Sequence, residues 1–324
     1  MKNLIHAFPV FVIVTALVIS SAVSAAAYPD KSITMIVPFP AGGRTDLTAR
    51  VIAQHLPKYL GQPVVMVNKP GAGGVLGAKE VAAAVPDGYT LGLFSTAVVT
   101  AQYTVPTPTN LNDYVAISVV NIDPMALAVK YDAPWKTLAD LVSYGRKNPD
   151  KLRVGMIPGA SAQIFAGGFA KAANIKTIYV PFKGDADGVA ALAGGHIEAH
   201  VAVPVSYRSL AEAKKVRILG VAAAGRSSLY NDIPTFREND VDLVIGSFHI
   251  VFAPKATPAE IQPRLADALA KTMKEPELEQ QMSSASLGVA YMNQKDTARY
   301  LAQQDELYRK LIDELGMTVV TKNK

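Results

Sequence analysis

A strand that ends in a glycine turn and passes straight into a helix constrains this chain more than any other feature, because it dictates a βαβ unit and leaves a helix N-terminus open. The strand runs from Ser32 to Val37. The turn Pro38-Phe39-Pro40-Ala41-Gly42-Gly43 follows, then Arg44-Thr45-Asp46, after which Leu47, Val51, Ile52, Leu56 and Leu60 recur at helical spacing until Gly61 stops the pattern. Such a helix start carries roughly half a positive charge and unsatisfied N–H donors, which suits a carboxylate or a phosphate. An anion site at this turn is the first expectation.

The same rhythm continues. Val64–Val67 reads as a strand, Gly77–Ala84 as a helix and Tyr89–Phe94 as a strand, the order of a mostly parallel sheet. It restarts with Leu152–Ile157, a helix through Phe165 to Ala172, Thr177–Phe182, a helix near Val189 to Leu192, Glu198–Val203 and Val216–Ala223. Met125–Lys130 and Ser247–Ala253 read as strands that cross between the two units. The fold class expected is therefore α/β with two lobes, each a mostly parallel sheet flanked by helices, joined by two hinge strands. One lobe takes residues 28–124 and 250–324, the other 125–249. Thr257-Pro258-Ala259-Glu260 reads as a helix start with proline at its first position, and a last helix through Leu301, Leu307, Leu311 and Leu315 ends at Gly316. Two lobes on two crossings form a hinge around a cleft.

The N-terminus decides which ligands are within reach. Lys2, the apolar run Phe8 to Ile19 and the small residues Ser24-Ala25-Ala26-Ala27 read as a secretory signal over residues 1–27, with the mature chain starting near Tyr28 and located in the periplasm. No later run approaches the length of a membrane span. The absence of cysteine suits an oxidising compartment and excludes disulfides and thiolate metal sites. The hydrophobic content of 50% over 324 residues fills two cores. Without Lys2, 31 Lys+Arg stand against 27 Asp+Glu, a mild positive bias with no basic run, so nucleic acid is not an expected partner.

Two further glycine turns follow strands. Lys69-Pro70-Gly71-Ala72-Gly73-Gly74 fails as a dinucleotide fingerprint because Leu76 stands where the third glycine is needed, leaving a turn with positive φ or a ligand contact. Gly155-Met156-Ile157-Pro158-Gly159-Ala160-Ser161-Ala162-Gln163 is the matching turn of the second unit, with Ser161 as a helix cap or a ligand contact. His196-Ile197-Glu198-Ala199-His200 places three potential metal ligands on one face of a strand, yet it lacks the spacing of known zinc motifs, so His200 reads as packed or hydrogen-bonded and Glu198 as solvated. Ser161 lacks the second glycine of an esterase elbow, and Asp185 with Asp187 reads as a solvated helix start.

Tyr28-Pro29-Asp30-Lys31, Pro38-Phe39-Pro40-Ala41-Gly42-Gly43 with Thr45-Asp46, Gly61-Gln62-Pro63-Val64, Asn68-Lys69-Pro70-Gly71-Ala72-Gly73-Gly74 and Pro86-Asp87-Gly88-Tyr89-Thr90 together closely resemble the Bug family, the extracytoplasmic solute receptors of tripartite tricarboxylate transporters. The likeness continues through Val180-Pro181-Phe182-Lys183-Gly184, Gly194-Gly195, Asp232-Ile233-Pro234-Thr235 and Phe252-Ala253-Pro254. It implies a periplasmic, monomeric receptor that closes on a small mono- or dicarboxylate and delivers it to integral membrane transporter subunits, with no catalytic residue, metal or cofactor. Carried over by position, the ligand contacts are Pro40, Ala41, Gly42, Gly43, Arg44, Thr45 and Asp46 in the first turn, Gly159, Ala160, Ser161, Ala162 and Gln163 in the second, and Ser95-Thr96 at a strand end; Phe182 and His249 of this chain are expected beside them.

Some residues depart from the family pattern. Arg44 stands where a small residue is usual, Met156-Ile157-Pro158 replaces a serine- and glycine-rich start, and Phe248-His249 replaces Trp-Gly or similar. Arg44 either pairs with a carboxylate of the ligand or points to solvent, and Met156, Ile157, Phe182 and Phe248 offer apolar surface to the ligand body. Asp46 would repel a bound carboxylate, so its role is to favour the helix start or to accept from a ligand amino group or water. Lys183 adds charge to the cleft or pairs with Asp185 or Asp187. Two other functions remain open: an exported hydrolase or metal enzyme using Ser161 or the His196/His200 pair, and a ligand-presenting partner of a membrane sensor kinase.

Overall fold

The computed structural model describes residues 28–106, 108–157, 161–226 and 230–319. The expected signal segment, and Gly159 and Ala160 of the second turn, lie outside the described residues. Along the chain, β1 (Ile33–Val37) feeds α1 (Arg44–His55) and the one-turn α2 (Pro57–Leu60). Then β2 (Val64–Asn68) feeds α3 (Val75–Ala83), β3 (Thr90–Ser95) feeds α4 (Thr96–Thr104), and β4 (Tyr114–Pro124) runs to the first crossing. The second lobe holds β5 (Ala126–Lys130), α5 (Leu138–Lys147), β6 (Leu152–Met156), α6 (Ser161–Ala172), β7 (Thr177–Pro181), α7 (Asp185–Ala193), β8 (Ala199–Ala202), α8 (Arg208–Glu212) and β9 (Val216–Val221). The chain returns in β10 (Gly246–Pro254) and ends with α9 (Ile261–Thr272), α10 (Pro276–Ser284) and α11 (Gln294–Glu314).

Two expectations need adjusting. The single helix expected over Leu47–Leu60 is two, because Pro57 has no N–H to continue the ladder and starts a new turn instead. Thr257-Pro258 stands before the helix rather than at its start: Ile261 and Gln262 donate to Pro258 O, and α9 opens at Ile261.

The two sheets share one plan. Their strand orders are β2-β1-β3-β10-β4 and β7-β6-β8-β5-β9. In the first, β1 pairs in parallel with β2 and β3, and β10 runs antiparallel between β3 and β4. In the second, β6 pairs in parallel with β7 and β8, and β5 runs antiparallel between β8 and β9. Each sheet thus receives its one antiparallel strand directly from the other lobe. The strands read as hinges are interior strands, and the crossings fall at Met125 and at Val244–Ile245. Three backbone hydrogen bonds tie them: Met125 N to Ile245 O (3.1 Å), Ile245 N to Ala222 O (3.0 Å) and Ala222 N to Met125 O (2.7 Å).

Both faces of the first sheet are covered, as a parallel sheet requires. Side chains alternate across it. Met35, Val37, Leu91, Leu93 and Val251 pack with Ile52 of α1, with Leu56 just after it, and with Leu269 and Leu278 of α9 and α10. Ile36, Phe94, Ile250 and Phe252 face Val81, Val98, Tyr308 and Ile312 of α3, α4 and α11. This second cluster continues into the other lobe through Leu127, Val154, Phe165 and Phe169. Among the described residues, no helix is long and apolar enough to cross a membrane.

A buried polar pin joins α1 and α2 to the turn before α10. Glu275 accepts from Lys58 Nζ and Tyr59 Oη, each at 2.6 Å, and lies 2.6 Å from His55 Nδ1. The bonds from Lys58 and Tyr59, with His55 behind them, hold the Glu275 carboxyl down at about 2.

Two outcomes follow from this packing. Phe94→Ala removes a ring that stacks on Phe252 at 5.0 Å and meets Tyr114 edge-on at 5.1 Å, and it should lower unfolding free energy by about 3–5 kcal/mol in a denaturant titration. The Glu275 carboxyl is depressed on folding, so its contribution is present above about pH 4.5 and is lost as pH falls towards about 2. Glu275→Gln should therefore be the less stable protein at pH 6, with the gap to wild type closing across that window in thermal melts. A gap independent of pH would contradict the pin.

Candidate functional site

In doubly wound sheets, ligands collect beyond the carboxyl ends of the parallel strands. Here those ends are the turns from β1 to α1 and from β3 to α4 in one lobe, and from β6 to α6 and from β7 to α7 in the other. Because α4 packs on α6, the two sets of turns abut.

The first turn is exposed from Pro40 to Gly43, and a buried carboxylate holds it from below. Gly42 adopts φ +83°, which suits glycine, and its N–H donates to Asp46 Oδ2 at 2.9 Å. Asp46 also accepts from Arg50 Nε at 2.8 Å, Arg50 Nη2 at 3.2 Å and Asn68 Nδ2 at 2.9 Å, while Asn68 Nδ2 reaches Phe39 O at 3.0 Å. Burial pushes the Asp46 carboxyl up, but these donors outweigh it and hold it below the usual carboxylate range. Asp46 is fully buried and occupied, so it shapes the turn and has no accessible oxygen for a ligand group. Above it, Gly43 caps α1 without a side-chain acceptor, and among the described residues no side chain caps the first-turn N–H groups of Arg44, Thr45 and Asp46.

Behind Thr45 lies a buried polar chain. Asn121 Nδ2 donates to Gly288 O, so Asn121 Oδ1 is the atom left to accept from His249 Nδ1, at 2.8 Å. His249 Nε2 then accepts from the Thr45 hydroxyl at 3.0 Å. Burial, with Arg44 nearby, pushes His249 down to about 3, so the ring is neutral. The effect is to turn the Thr45 proton inward and its lone pairs outward. His249 itself is 1% exposed and acts through Thr45 rather than from the cleft wall.

Arg44 does not point freely to solvent. Its Nη2 forms an ion pair with Asp123 Oδ2 at the end of β4, and Gly288 N fixes Asp123 Oδ1 at 2.9 Å. A Cβ at position 288 would sit 2.5 Å from Ile122 O and 2.8 Å from Asp123 Oδ1, so this approach needs glycine. The Asp123 side chain is 1% exposed and that of Arg44 28%, and Arg44 Nε is buried without a hydrogen-bond partner among the described residues. The field of Arg44 also reaches Asp185 and Tyr230 of the second lobe.

The remaining expected contacts divide between structural and open positions. Ser95 Oγ caps α4 by accepting from Ala97 N at 3.3 Å, and Thr96 Oγ1 accepts from Phe248 N at 2.9 Å. In the second turn, Ser161 and Gln163 are half-buried in the first turn of α6, whereas Ala162 is a core residue. Phe182 is half-buried against the His200 ring. Phe248, expected to offer apolar surface, is instead fully buried against Tyr300, and Met156 is 5% exposed.

The His196/Glu198/His200 trio does not converge. His196 is exposed ahead of β8, Glu198 is forked onto Arg153 (2.9 and 2.6 Å), and His200 is buried with Nδ1 3.0 Å from Tyr207 Oη. Burial pushes His200 down to about 4. Among the described residues no three His, Asp, Glu or Cys side chains are grouped to hold a metal. Asp185, expected in solvent, is half-buried as the first residue of α7, and its Oδ2 accepts from Ser206 Oγ at 2.8 Å. Burial raises its carboxyl, against the opposing pull of Ser206 and Arg44.

Two lobes exchanging one strand each, with a helix start at the first turn that its Gly43 cap leaves without a side-chain bond, define a solute-binding protein. The family model for the tripartite tricarboxylate transporter family receptor matches residues 48–317, and the chain belongs to that family. BugT of Bordetella pertussis is 32% identical over 249 residues, covering 75% of this chain and 76% of BugT. The crystal structure of a TctC solute binding protein from Polaromonas superposes with a TM-score of 0.82 at 31% identity, over 89% of this chain and 99% of that one. R. palustris Rpa4515, solved with adipate, gives 0.76 at 26% identity over 90% and 100%. The expected resemblance to the Bug receptors thus holds.

If Asp46 is the clamp of the first turn, Asp46→Ala strands the donors of Gly42, Asn68 and Arg50. It should cost on the order of 1–3 kcal/mol in chemical unfolding. Hydrogen exchange at Gly42 and Gly43 should rise more than at β3, and uniform exchange across both would count against a local clamp.

Proposed function

We propose that this chain is a periplasmic receptor that captures a small carboxylate between its lobes and delivers it to membrane transporter subunits, without chemistry on the ligand. The observation that carries this reading is the first turn: exposed backbone from Pro40 to Gly43 leads into helix donors that no side chain caps, beside a guanidinium. Such donors recognise a carboxylate whatever its body, and the second lobe brings the start of α6 to the same cleft. The adipate in Rpa4515 belongs to the same ligand class. The signal-like residues 1–27 support export, and the family supports a transporter as partner.

Closure is a population shift driven by a ligand that touches both lobes at once. Ser161 and the separated histidines give a hydrolase no assembled group of nucleophile, base and orienter.

The test is a thermal-shift titration of residues 28–324 with aliphatic and aromatic mono- and dicarboxylates, including adipate, with and without chelator. At about 100 times its dissociation constant a ligand should add about 2.7 kcal/mol to stability, with no effect of chelator. A shift with metal and with no carboxylate would overturn the receptor reading.

A further inference from the structure

The cleft holds two carboxylates that are withdrawn from full solvent exposure, Asp123 and Asp185. Arg44 is the cation nearest the uncapped helix start, and it is already neutralised by Asp123, whose other oxygen is locked by the Gly288 amide. Across the cleft a second carboxylate, Asp185, sits half-buried at the start of α7, held by Ser206 and within the field of Arg44. The other basic residues here, Lys183 and Arg208, are exposed, so solvent and salt weaken them, although the field of Arg208, like that of Arg44, reaches Tyr230. Thr45 adds an acceptor, because its proton is turned inward to His249.

We propose that this arrangement selects a ligand with one carboxylate and a hydrogen-bond donor or ammonium group on its body, and disfavours a second carboxylate. The proposal rests on the receptor reading above. The ligand carboxylate lies at the helix start beside Arg44, whose Nε has no hydrogen-bond partner among the described residues. Asp185 receives the donor from the opposite lobe. Asp123 is a positioning residue: it fixes the guanidinium and cancels its charge, so that no net positive charge remains to hold a second anionic group. Like-charge contact with Asp185 then excludes that group, and discrimination comes from repulsion as much as attraction.

Matched pairs that differ only at one end test the idea on residues 28–324 by calorimetric titration: β-alanine against succinate, 4-aminobutyrate against glutarate, 5-aminopentanoate against adipate, and 4-(aminomethyl)benzoate against terephthalate. The amino member of the pair that binds should be at least tenfold tighter. Asp185→Asn and Asp123→Asn each remove one negative charge with little change in shape, and each should move that ratio at least tenfold towards the dicarboxylate. Arg44→Gln should move it the other way. A ratio of affinities is insensitive to general destabilisation, and Asp185→Asn keeps the test available if the Asp123 variant does not fold. Dicarboxylates binding as well as or better than their partners, a ratio unmoved in both Asn variants, or binding confined to carboxylates without a donor would each overturn the proposal while leaving the receptor reading intact. Failure of every carboxylate to bind would overturn the receptor reading itself.

Discussion

Everything in this molecule depends on the exchange of one strand between two sheets. Because β5 enters the second sheet immediately after β4 leaves the first, and β10 makes the reverse journey, neither sheet is complete without chain that has crossed the hinge. The crossings are short and hydrogen-bonded to one another through Met125, Ile245 and Ala222. The proposed closure would act on the backbone torsions at these crossings, and α11 packs on α4, β4 and α6. The antiparallel insertion leaves the parallel strands side by side, so their carboxyl ends and the helices that follow converge on one cleft.

Within that cleft, the groups that anchor differ from those that select. Buried Asp46 is saturated by Gly42, Arg50 and Asn68, and buried His249 by Asn121 and Thr45. These groups make no use of a ligand. They hold a glycine turn in the conformation that presents N–H groups outward, a task that an unpaired buried charge performs badly and a fully bonded one performs well. In the proposed selectivity, discrimination falls to the side chains around the turn, Arg44 with Asp123 in one lobe and Asp185 in the other. A receptor scaffold is able to change its ligand by altering this outer set without disturbing the clamp.

The strand, turn and helix around Pro38–Asp46 were legible in the sequence because every signal there is local: alternating burial, glycine, helical spacing. The same holds for the rhythm of both lobes. Partners separated by long stretches of chain were not legible. Asp123 lies 79 residues from Arg44, and Asn121 meets Gly288 across 167, so no spacing rule links them. Phe248 was read as ligand-facing because a large apolar residue near a cleft and one in a core look identical in sequence, and only the Tyr300 ring behind it decides. The pairing of the hinge strands was not legible for a related reason: their order marks β5 and β10 as the strands at the crossings, and only their distant pairing partners place them inside the sheets. Asp185 illustrates the converse, an acidic helix start of ordinary appearance that tertiary packing half-buries.

The placement of the charges also bears on closure. The Arg44–Asp123 pair is contained in one lobe and the Asp185–Ser206 bond in the other, so neither bond latches the lobes together. Were Arg44 paired directly with Asp185, the empty protein would carry its own closing ion pair and a ligand would gain little by bridging the cleft. With Asp123 satisfying the guanidinium from its own side, the attraction between Arg44 and Asp185 is weakened, and the open and closed states differ mainly in what a bound molecule adds. A ligand shifts such an equilibrium only by its differential affinity for the two states. Under the proposed receptor function, the internal ion pair would keep closure dependent on the ligand, as a partner that distinguishes the loaded form from the empty one requires.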